Sequence, residues 1–217
     1  MPAAMTYTSL LNDLRAYLER GDSLATDPTV YEQLPSLINL AERRLARELK
    51  IQGTVSAVTA ALQAGVSVYA KPDRWRETVS MNYGAGVSQN DRTEIFPRSY
   101  EYCRKYWPND TATGNPRFYA DYDYTHWLIA PTPSTNAPFE VLYYEQPAYL
   151  DDANQTNWWT EYAPQALLYA SLLEAAPFLK NQDSIQIWEG FYNRCIASLN
   201  GEDIRQIADR GIIRRED

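Results

Sequence analysis

The sequence predicts an α+β fold in which helices from both ends of the chain form an antiparallel helical bundle, with a small antiparallel β-domain inserted between them. Two observations predict this. Apolar residues recur with helical spacing near both ends, whereas β-branched and aromatic residues alternate in the middle. We therefore expect a helical body of residues 1–52 and 151–205, a β-domain of residues 53–150 and a C-terminal tail of residues 206–217.

The first helix is predicted by an apolar stripe close to the N-terminus. Its members recur at intervals of three and four residues: Tyr7, Leu10, Leu11, Leu14, Tyr17 and Leu18. Thr6 or Thr8 is suited to cap the start of this helix, and Gly21 is placed to end it. Charged residues interrupt the apolar run, so we expect neither a signal peptide nor a membrane anchor there.

A longer second helix is predicted after Asp27 and Pro28, which suit the N-cap and the first helical position. We expect Pro35 to restart this helix. Its apolar stripe is Leu34, Leu37, Ile38, Ala41, Leu45 and Leu49, and its opposite face is expected to carry Glu42, Arg43, Arg47 and Lys50. Arg43, Arg44 and Arg47 alternate with glutamates, which is typical of i,i+4 ion pairs on a solvated or partner-facing helix.

The middle of the chain alternates β-branched and aromatic residues with period two. The segments that show this pattern are 54–60, 65–70, 77–83, 93–97, 117–122, 126–131 and 139–147. Loops rich in turn residues separate them, and a short helix is expected over residues 99–107. The pattern predicts a compact antiparallel β-domain of about five to seven strands.

Two further helices are predicted near the C-terminus. One starts at Pro164 and is ended or kinked by Pro177, and the other follows an N-cap at Asp183 and runs to Gly201. Their apolar stripes are Leu167, Leu168, Leu172, Leu173 and Ala176 in the first, and Ile185, Trp188, Tyr192, Cys195, Ile196 and Leu199 in the second. Beyond Gly201 apolar residues become sparse, so we expect this end to fray when alone.

The charge and the cysteines exclude several kinds of site. The formal net charge of −8 argues against a nucleic-acid-binding surface, because contacts with phosphates need clustered Lys and Arg residues. Cys103 and Cys195 lack the spacing of a zinc site, so we expect a reducing compartment, no disulfide, no metal and no cofactor. The most apolar run, residues 166–179, is too short to span a bilayer, and we expect no membrane partner.

Catalytic chemistry has little support in the sequence. His126, the only histidine, lies among apolar neighbours, and we expect no polar group nearby to orient it as a general base. Asp121 and Asp123 are either a carboxylate pair of a hydrolase or solvated turn residues, and the same alternatives apply to Asp151 and Asp152. We favour turns in both places and predict no enzymatic activity.

Tyrosine is the unusual component of the composition. The chain has 17 tyrosines and 6 tryptophans, and many of the tyrosines fall in the β segment. A small β-domain has too little interior for all of them, and tyrosine is enriched at protein interfaces. We therefore predict an interface that includes Tyr119, Tyr122 and Tyr124.

Four segments, in this order, resemble the head-to-tail adaptor (connector) proteins of tailed bacteriophages. They are "LPSLINLAERRLARELK" from Leu34, "GNPRFYADYDYTHWLIAPTP" from Gly114, "FEVLYYEQPAYL" from Phe139 and "TNWWTEYAPQALLYASLLEAAPFL" from Thr156. The resemblance implies a non-enzymatic virion protein: a homo-oligomeric ring, usually dodecameric, that docks beneath the portal protein and receives tail or nozzle proteins. It also implies assembly in the host cytoplasm and a final position in the neck between capsid and tail.

The resemblance suggests a use for the acidic balance and for the C-terminus. Genomic DNA passes through the channel of such a ring without specific binding, and a wall of like charge avoids strong contacts with phosphates. C-terminal extensions of some of these adaptors fold against the portal. Ile212 and Ile213 are therefore expected to supply an apolar anchor, with Arg214 and Arg215 as its charged rim.

Two other functions stay open at this point. A non-catalytic carbohydrate-binding module would stack exposed tyrosine and tryptophan rings on sugars, but it would leave the long amphipathic helices without a role. A hydrolase that uses Asp121 and Asp123 would lose its activity, and not its assembly, when these residues are replaced.

Overall fold

A computed structural model describes residues 5–18, 28–84, 92–179 and 184–211. Within these residues the fold is mixed α+β, with six helices and mostly antiparallel sheets. The helices are α1 (Tyr7–Tyr17), α2 (Pro28–Glu48), α3 (Tyr100–Tyr106), α4 (Trp158–Tyr162), α5 (Pro164–Leu179) and α6 (Ile185–Gly211). The strands are β1 (Val55–Leu62), β2 (Val68–Ala70), β3 (Trp75–Tyr83), β4 (Thr93–Glu94), β5 (Phe96–Pro97), β6 (Thr113–Gly114), β7 (Phe118–Asp121), β8 (His126–Ala130), β9 (Thr132–Pro133) and β10 (Ala137–Glu145).

The chain divides into two compact units. Unit 1 comprises Met1–Thr54 and Gln146–Asp217, and it contains α1, α2 and α4 to α6. Unit 2 comprises Val55–Glu145, and it contains α3 and the ten strands. The helical and the β parts of the sequence are therefore separate structural units.

Unit 1 is organised around α5, which packs against α1, α2, α4 and α6. Its core is one apolar cluster with members on all five helices, among them Leu10, Leu14, Leu34, Ile38, Leu45, Trp159, Leu167, Leu172 and Tyr192. Because each helix buries an apolar stripe here, tertiary packing supplies the stability that isolated helices of this length lack.

The predicted start of α1 is confirmed in detail. The Thr6 side chain accepts a hydrogen bond from the Ser9 backbone N–H at 3.1 Å, and the Ser9 hydroxyl accepts one from the Thr6 N–H at 2.8 Å. This reciprocal pair satisfies two donors that the first helical turn leaves open. Three other predicted helix boundaries lie outside the described residues. They are the end of α1 at Gly21 and the N-caps at Asp27 and Asp183.

Two expected helix boundaries are wrong, at Pro35 and at Gly201. Pro35 does not restart α2, because it lies inside a continuous helix. Of the two alternatives for Pro177, an end or a kink of α5, the structure excludes the end, because Pro177 also lies inside its helix. A proline removes one backbone donor, and burial of the apolar stripe outweighs that loss. Gly201 does not end α6, which continues to Gly211. The Asp203 carboxylate accepts a hydrogen bond from the Gln52 N–H at 2.8 Å and thereby ties this part of α6 to unit 1.

Unit 2 is built from two four-stranded sheets and a short strand pair. One sheet has the order β1-β10-β3-β4, the other has the order β2-β8-β7-β5, and β6 pairs with β9. The pairing is antiparallel except between β5 and β7 and between β6 and β9. Both larger sheets contribute to one apolar cluster, which contains Leu62, Met81, Ile95, Tyr119, Trp127, Ile129, Phe139 and Val141.

Each of the seven predicted strand segments contains a strand, and the helix predicted over residues 99–107 is α3. The elements that sequence reasoning missed are short. They are β6, β9, α4 and a 3₁₀ turn at Gln52–Thr54, of two, two, five and three residues. Such lengths cover fewer than two periods of a hydrophobic pattern, so periodicity cannot identify them.

A helix that crosses a bilayer needs about 20 predominantly apolar residues. Throughout the described part of the chain, no helix is both long and apolar enough to cross a membrane.

Candidate interaction surfaces

The first candidate surface lies on α2 and consists of Arg43, Arg44 and Arg47, which we call the arginine face. Arg44 is fixed within unit 1. Its guanidinium pairs with Glu48 at 2.9 Å and with Glu174 at 3.3 Å. It also lies over the Tyr192 ring, 4.8 Å from the centroid. The predicted i,i+4 pairing on this helix is thus confirmed for Arg44 and Glu48.

Arg43 and Arg47 are exposed on the same face. Arg43 donates a hydrogen bond from Nε to the Tyr149 hydroxyl at 3.1 Å and lies over the Tyr149 ring. Arg47 has no hydrogen-bond, ion-pair or ring partner among the described residues. The three arginines line a cavity of about 360 Å³ together with Leu40, Glu48 and Glu174. This surface offers two accessible guanidinium groups in an acidic protein.

A second surface of unit 1 is a groove between α4 and the C-terminal part of α6, which we call the aromatic groove. Its volume is about 510 Å³, and it is lined by Ile51, Gly53, Trp158, Tyr162, Leu199, Glu202 and Asp203. The Trp158 and Tyr162 rings are stacked, with centroids 5.4 Å apart and planes 27° apart. Tyr162 is 66% exposed, so this stack presents an open aromatic surface beside two carboxylates.

Gly53 allows the Trp158 indole to take its position in the aromatic groove. The Trp158 indole lies directly against the Gly53 backbone, and a Cβ at residue 53 would overlap the indole ring. Glycine is therefore required here for close approach.

The short helix α4, which carries the stacked pair, is held by Asn157. The Asn157 carboxamide oxygen accepts hydrogen bonds from the Trp159 and Thr160 N–H groups at 3.0 and 3.3 Å. The Asn157 amide nitrogen donates to Glu42 Oε1 at 2.5 Å and to the Ala148 carbonyl at 2.8 Å. One side chain therefore caps α4 and links it to α2.

The position of Glu42 corrects a sequence-based expectation. Glu42 was expected on the solvent side of α2, but it is 0% exposed. Its two carboxylate oxygens accept hydrogen bonds from Asn157 and from the Leu150 N–H, the latter at 3.3 Å. Burial raises the pKa of Glu42 to about 7, although these two hydrogen bonds favour the ionised form. The carboxylate is a structural link and not part of a solvated helix face.

The third candidate surface is the tight turn between β7 and β8, residues 121–126, which we call the tyrosine turn. The Asp123 carboxylate accepts hydrogen bonds from the Thr125 N–H at 2.6 Å and from the Thr125 hydroxyl at 2.9 Å. Desolvation works in the opposite direction, but the hydrogen bonds from Thr125 and His126 lower the pKa of Asp123 to about 2. This geometry leaves Tyr122 and Tyr124 46% and 73% exposed.

Lys71 fixes the tyrosine turn from the neighbouring strand. Its ammonium group donates to the Asp121 carboxylate at 2.7 Å and to the Asp123 carbonyl at 3.0 Å. It also lies 3.7 Å from the centroid of the Trp75 ring. The Lys71 side chain is only 2% exposed, so the turn is held by a nearly buried cation with well-defined partners.

The surroundings of His126 correct a second expectation. We expected no polar group beside this histidine, but His126 Nδ1 lies 3.0 Å from the Asp123 carboxylate and 3.0 Å from the Thr125 hydroxyl. The three side chains are neighbours in one exposed turn, and Asp123 also bonds the turn backbone. This arrangement fits a turn-stabilising role.

A comparison with known protein families identifies the family of this chain. The model of the SU10 adaptor protein family matches residues 5–215 of the chain. The chain belongs to this family. The resemblance to phage head-to-tail adaptors predicted from the sequence is thus confirmed, and the family is one of structural phage proteins. A search of curated proteins finds no match.

The remaining residues predicted to contact partners of this adaptor are placed as follows. Tyr119 is 7% exposed and belongs to the core of unit 2, so we do not include it in a contact surface. Ile212, Ile213, Arg214 and Arg215 lie outside the described residues.

Sequence reasoning did not anticipate the aromatic groove of the adaptor. Trp158 and Tyr162 come from α4, whereas Glu202 and Asp203 come from beyond the expected end of α6. The one available signal was the polar and aromatic "TNWW" segment before the predicted helix at Pro164, because an Asn before aromatic residues suits an N-cap.

Three of the four acidic residues considered for catalysis, Asp121, Asp123 and Asp151, have structural partners in the adaptor. Asp121 pairs with Lys71. Asp151 accepts hydrogen bonds from the Ala153 and Asn154 N–H groups at 2.8 and 2.7 Å, as a turn residue does. Within the described residues, no group of three or more His, Cys, Asp or Glu side chains is arranged to hold a metal ion.

Proposed function

We propose that this adaptor forms a homo-oligomeric ring of twelve copies. The ring docks beneath the portal protein in the neck of the virion and connects the portal to tail or nozzle proteins. The observation that carries the proposal is the family match over residues 5–215, because it covers both units. The function is structural and not enzymatic, and the protein reaches the virion by assembly in the host cytoplasm.

Unit 1 is proposed to build the ring. Its helices share one apolar core, and its surface carries the arginine face and the aromatic groove. Exposed Arg, Tyr and Trp side chains are the residue types that dominate binding energies at protein interfaces. These features support contacts between neighbouring subunits or with the portal.

The tyrosine turn is proposed to contact a tail or nozzle protein. Tyr122 and Tyr124 are exposed, and Lys71 and Asp123 fix the backbone that presents them. Fixing exposed aromatic side chains before binding reduces the entropy lost on association. A preformed turn of this kind supports a role in recognition.

The channel of the ring is proposed to let genomic DNA pass without specific binding. The net charge of −8 supports this, because acidic walls repel phosphates and do not retain them. Residues 212–215 are proposed to add an apolar and basic contact with the portal, as their composition suggests.

The proposal is tested with purified adaptor, portal protein and a panel of glycans. We expect a ring mass by light scattering, either alone or on addition of portal, and capture of the adaptor by immobilised portal. Glycan binding without capture by portal would contradict the proposal and favour a carbohydrate-binding module. Loss of a hydrolytic activity in an Asp121→Asn, Asp123→Asn variant that still assembles would favour a hydrolase.

A further inference from the structure

The aromatic groove has the chemistry of a site for a guanidinium group. The stacked Trp158–Tyr162 pair lines it, together with the apolar side chains of Ile51 and Leu199. The carboxylates of Glu202 and Asp203 lie at the same groove. Arginine suits such a site because its planar cation stacks on aromatic rings while its aliphatic stem packs on apolar surface.

The groove is also rigidly built on both sides. On one side, Asn157 caps α4 and Gly53 admits the Trp158 indole. On the other side, the bond between the Gln52 N–H and Asp203 holds α6 in place. A ligand that enters the groove therefore meets side chains already positioned, which lowers the entropy cost of binding.

The same unit carries a surface with the complementary charge. Arg47 is exposed and has no partner among the described residues, and Arg43 lies one helical turn away on α2. Arg44 is held between Glu48 and Glu174 and is not available. The residues that line the arginine face and those that line the aromatic groove are entirely different.

We propose that the arginine face of one adaptor copy docks in the aromatic groove of the next copy, with Arg47 stacked on Trp158 and Tyr162 and paired with Glu202. This inference rests on the proposed ring. Two different patches of one unit that bind each other make a heterologous contact, and repetition of such a contact closes into a ring when the rotation allows it. The charge complementarity of the two patches fixes the direction of the contact.

The test is a charge exchange between the two patches. Arg47→Glu and Glu202→Arg each place like charges in the contact, so each raises the protein concentration for half-assembly by at least about tenfold. The double variant Arg47→Glu/Glu202→Arg restores an oppositely charged pair in every contact and returns the midpoint to within about threefold of the native value. Assembly is followed by light scattering, and circular dichroism checks that each variant is folded.

A matched double variant controls for net charge. Arg47→Glu/Glu189→Arg makes the same two changes of charge, but Glu189 is an exposed α6 residue outside the groove, so no rescue is expected. Native assembly of either folded single variant, or equal rescue by both double variants, overturns the inference. If removal of residues 212–217 restores assembly of the single variants, then the groove binds the C-terminal tail and the inference is also overturned.

The failure of this inference and that of the proposed function have different signatures. If the native adaptor forms no ring, alone or with portal, then both are wrong. If the native adaptor forms a ring and the folded Arg47→Glu and Glu202→Arg variants do so equally well, then only the contact proposed here is wrong.

Discussion

At the scale of single residues, Gly53 and Glu42 show how unit 1 positions its surfaces from within. Gly53 has no side chain and thus admits the Trp158 indole, and Glu42 accepts hydrogen bonds that connect α2 with the cap of α4. Neither role is visible in the sequence. A glycine after a helix suggests a turn, and a glutamate among arginines suggests a solvated surface.

Replacement of Gly53 by alanine is expected to destabilise the adaptor. The new methyl group would displace the Trp158 indole, and overpacking of this kind lowers the free energy of unfolding by about 1–3 kcal/mol. The matched control is Gly201→Ala, because Gly201 lies inside α6 with open space around it. Alanine at this position is expected to raise the free energy of unfolding by about 0.5–1 kcal/mol. Urea denaturation measures both changes, and a Gly53→Ala protein as stable as the native one would show that the close contact is unimportant.

The buried Glu42 makes stability depend on pH. Its pKa is raised from 4.5 to about 7, so the native state binds this proton more tightly than the unfolded chain does. The stabilisation is therefore fully present below about pH 4.5 and is lost as the pH rises through about 7. We expect the contribution of Glu42 to the free energy of unfolding to fall by roughly 2 kcal/mol between about pH 5 and about pH 8.

Glu42→Gln isolates this contribution, because an amide does not titrate. The variant is expected to lose this part of the pH dependence of unfolding, whereas Glu189→Gln, at an exposed position, retains it. Chemical denaturation at several pH values compares the three proteins. If the free energy of unfolding changes equally with pH in the native protein and in Glu42→Gln, then Glu42 keeps its ordinary pKa.

At the scale of elements, α6 belongs to the folded body at least as far as Asp203. Leu199, Glu202 and Asp203 line the aromatic groove, and Asp203 binds the Gln52 N–H. A chain that ends at Gly201 loses this bond and the two carboxylates of the groove, so we expect its free energy of unfolding to fall by about 1–3 kcal/mol. A chain that ends at Arg205 keeps both and is expected to melt close to the native temperature.

Thermal melting of the two truncated chains, with Asp203→Ala in the full-length chain as the comparison, tests this assignment. If the chain that ends at Gly201 melts with the native protein, then α6 beyond that residue contributes nothing to the fold.

Exposed and buried tyrosines in and near the tyrosine turn are expected to respond differently to replacement. Tyr124→Ala is expected to leave the melting temperature unchanged and to weaken binding of a tail or nozzle protein, because this side chain is 73% exposed. Tyr119→Ala removes a core residue and is expected to cost about 3 kcal/mol of stability. Melting and binding measurements on both variants test the distinction, and tail-protein binding of folded Tyr124→Ala at native strength would exclude the turn from that contact.

The sequence predicts elements better than it predicts sites in this protein. Periodicity was sufficient for α1 and for the long strands β1, β3 and β10, because each extends over at least eight residues. It failed at Pro35 and Gly201, where packing overrides local propensity. The aromatic groove could not be predicted, because residues from three distant parts of the sequence line it and only folding brings them together.

At the scale of the whole molecule, family membership and the two-unit organisation agree on a structural role. The family match extends over both units, and each unit carries at least one surface of exposed aromatic or cationic side chains. A subunit that binds its neighbours through one surface and other virion proteins through another needs such separate patches.

The central claim, that this adaptor forms a ring between portal and tail, is tested most directly by electron microscopy of purified adaptor mixed with portal protein. The account predicts class averages in which a ring of adaptor subunits caps one end of the portal, coaxial with its channel. Portal particles without added density at either end, at adaptor concentrations well above those of portal and with folded adaptor, would contradict it.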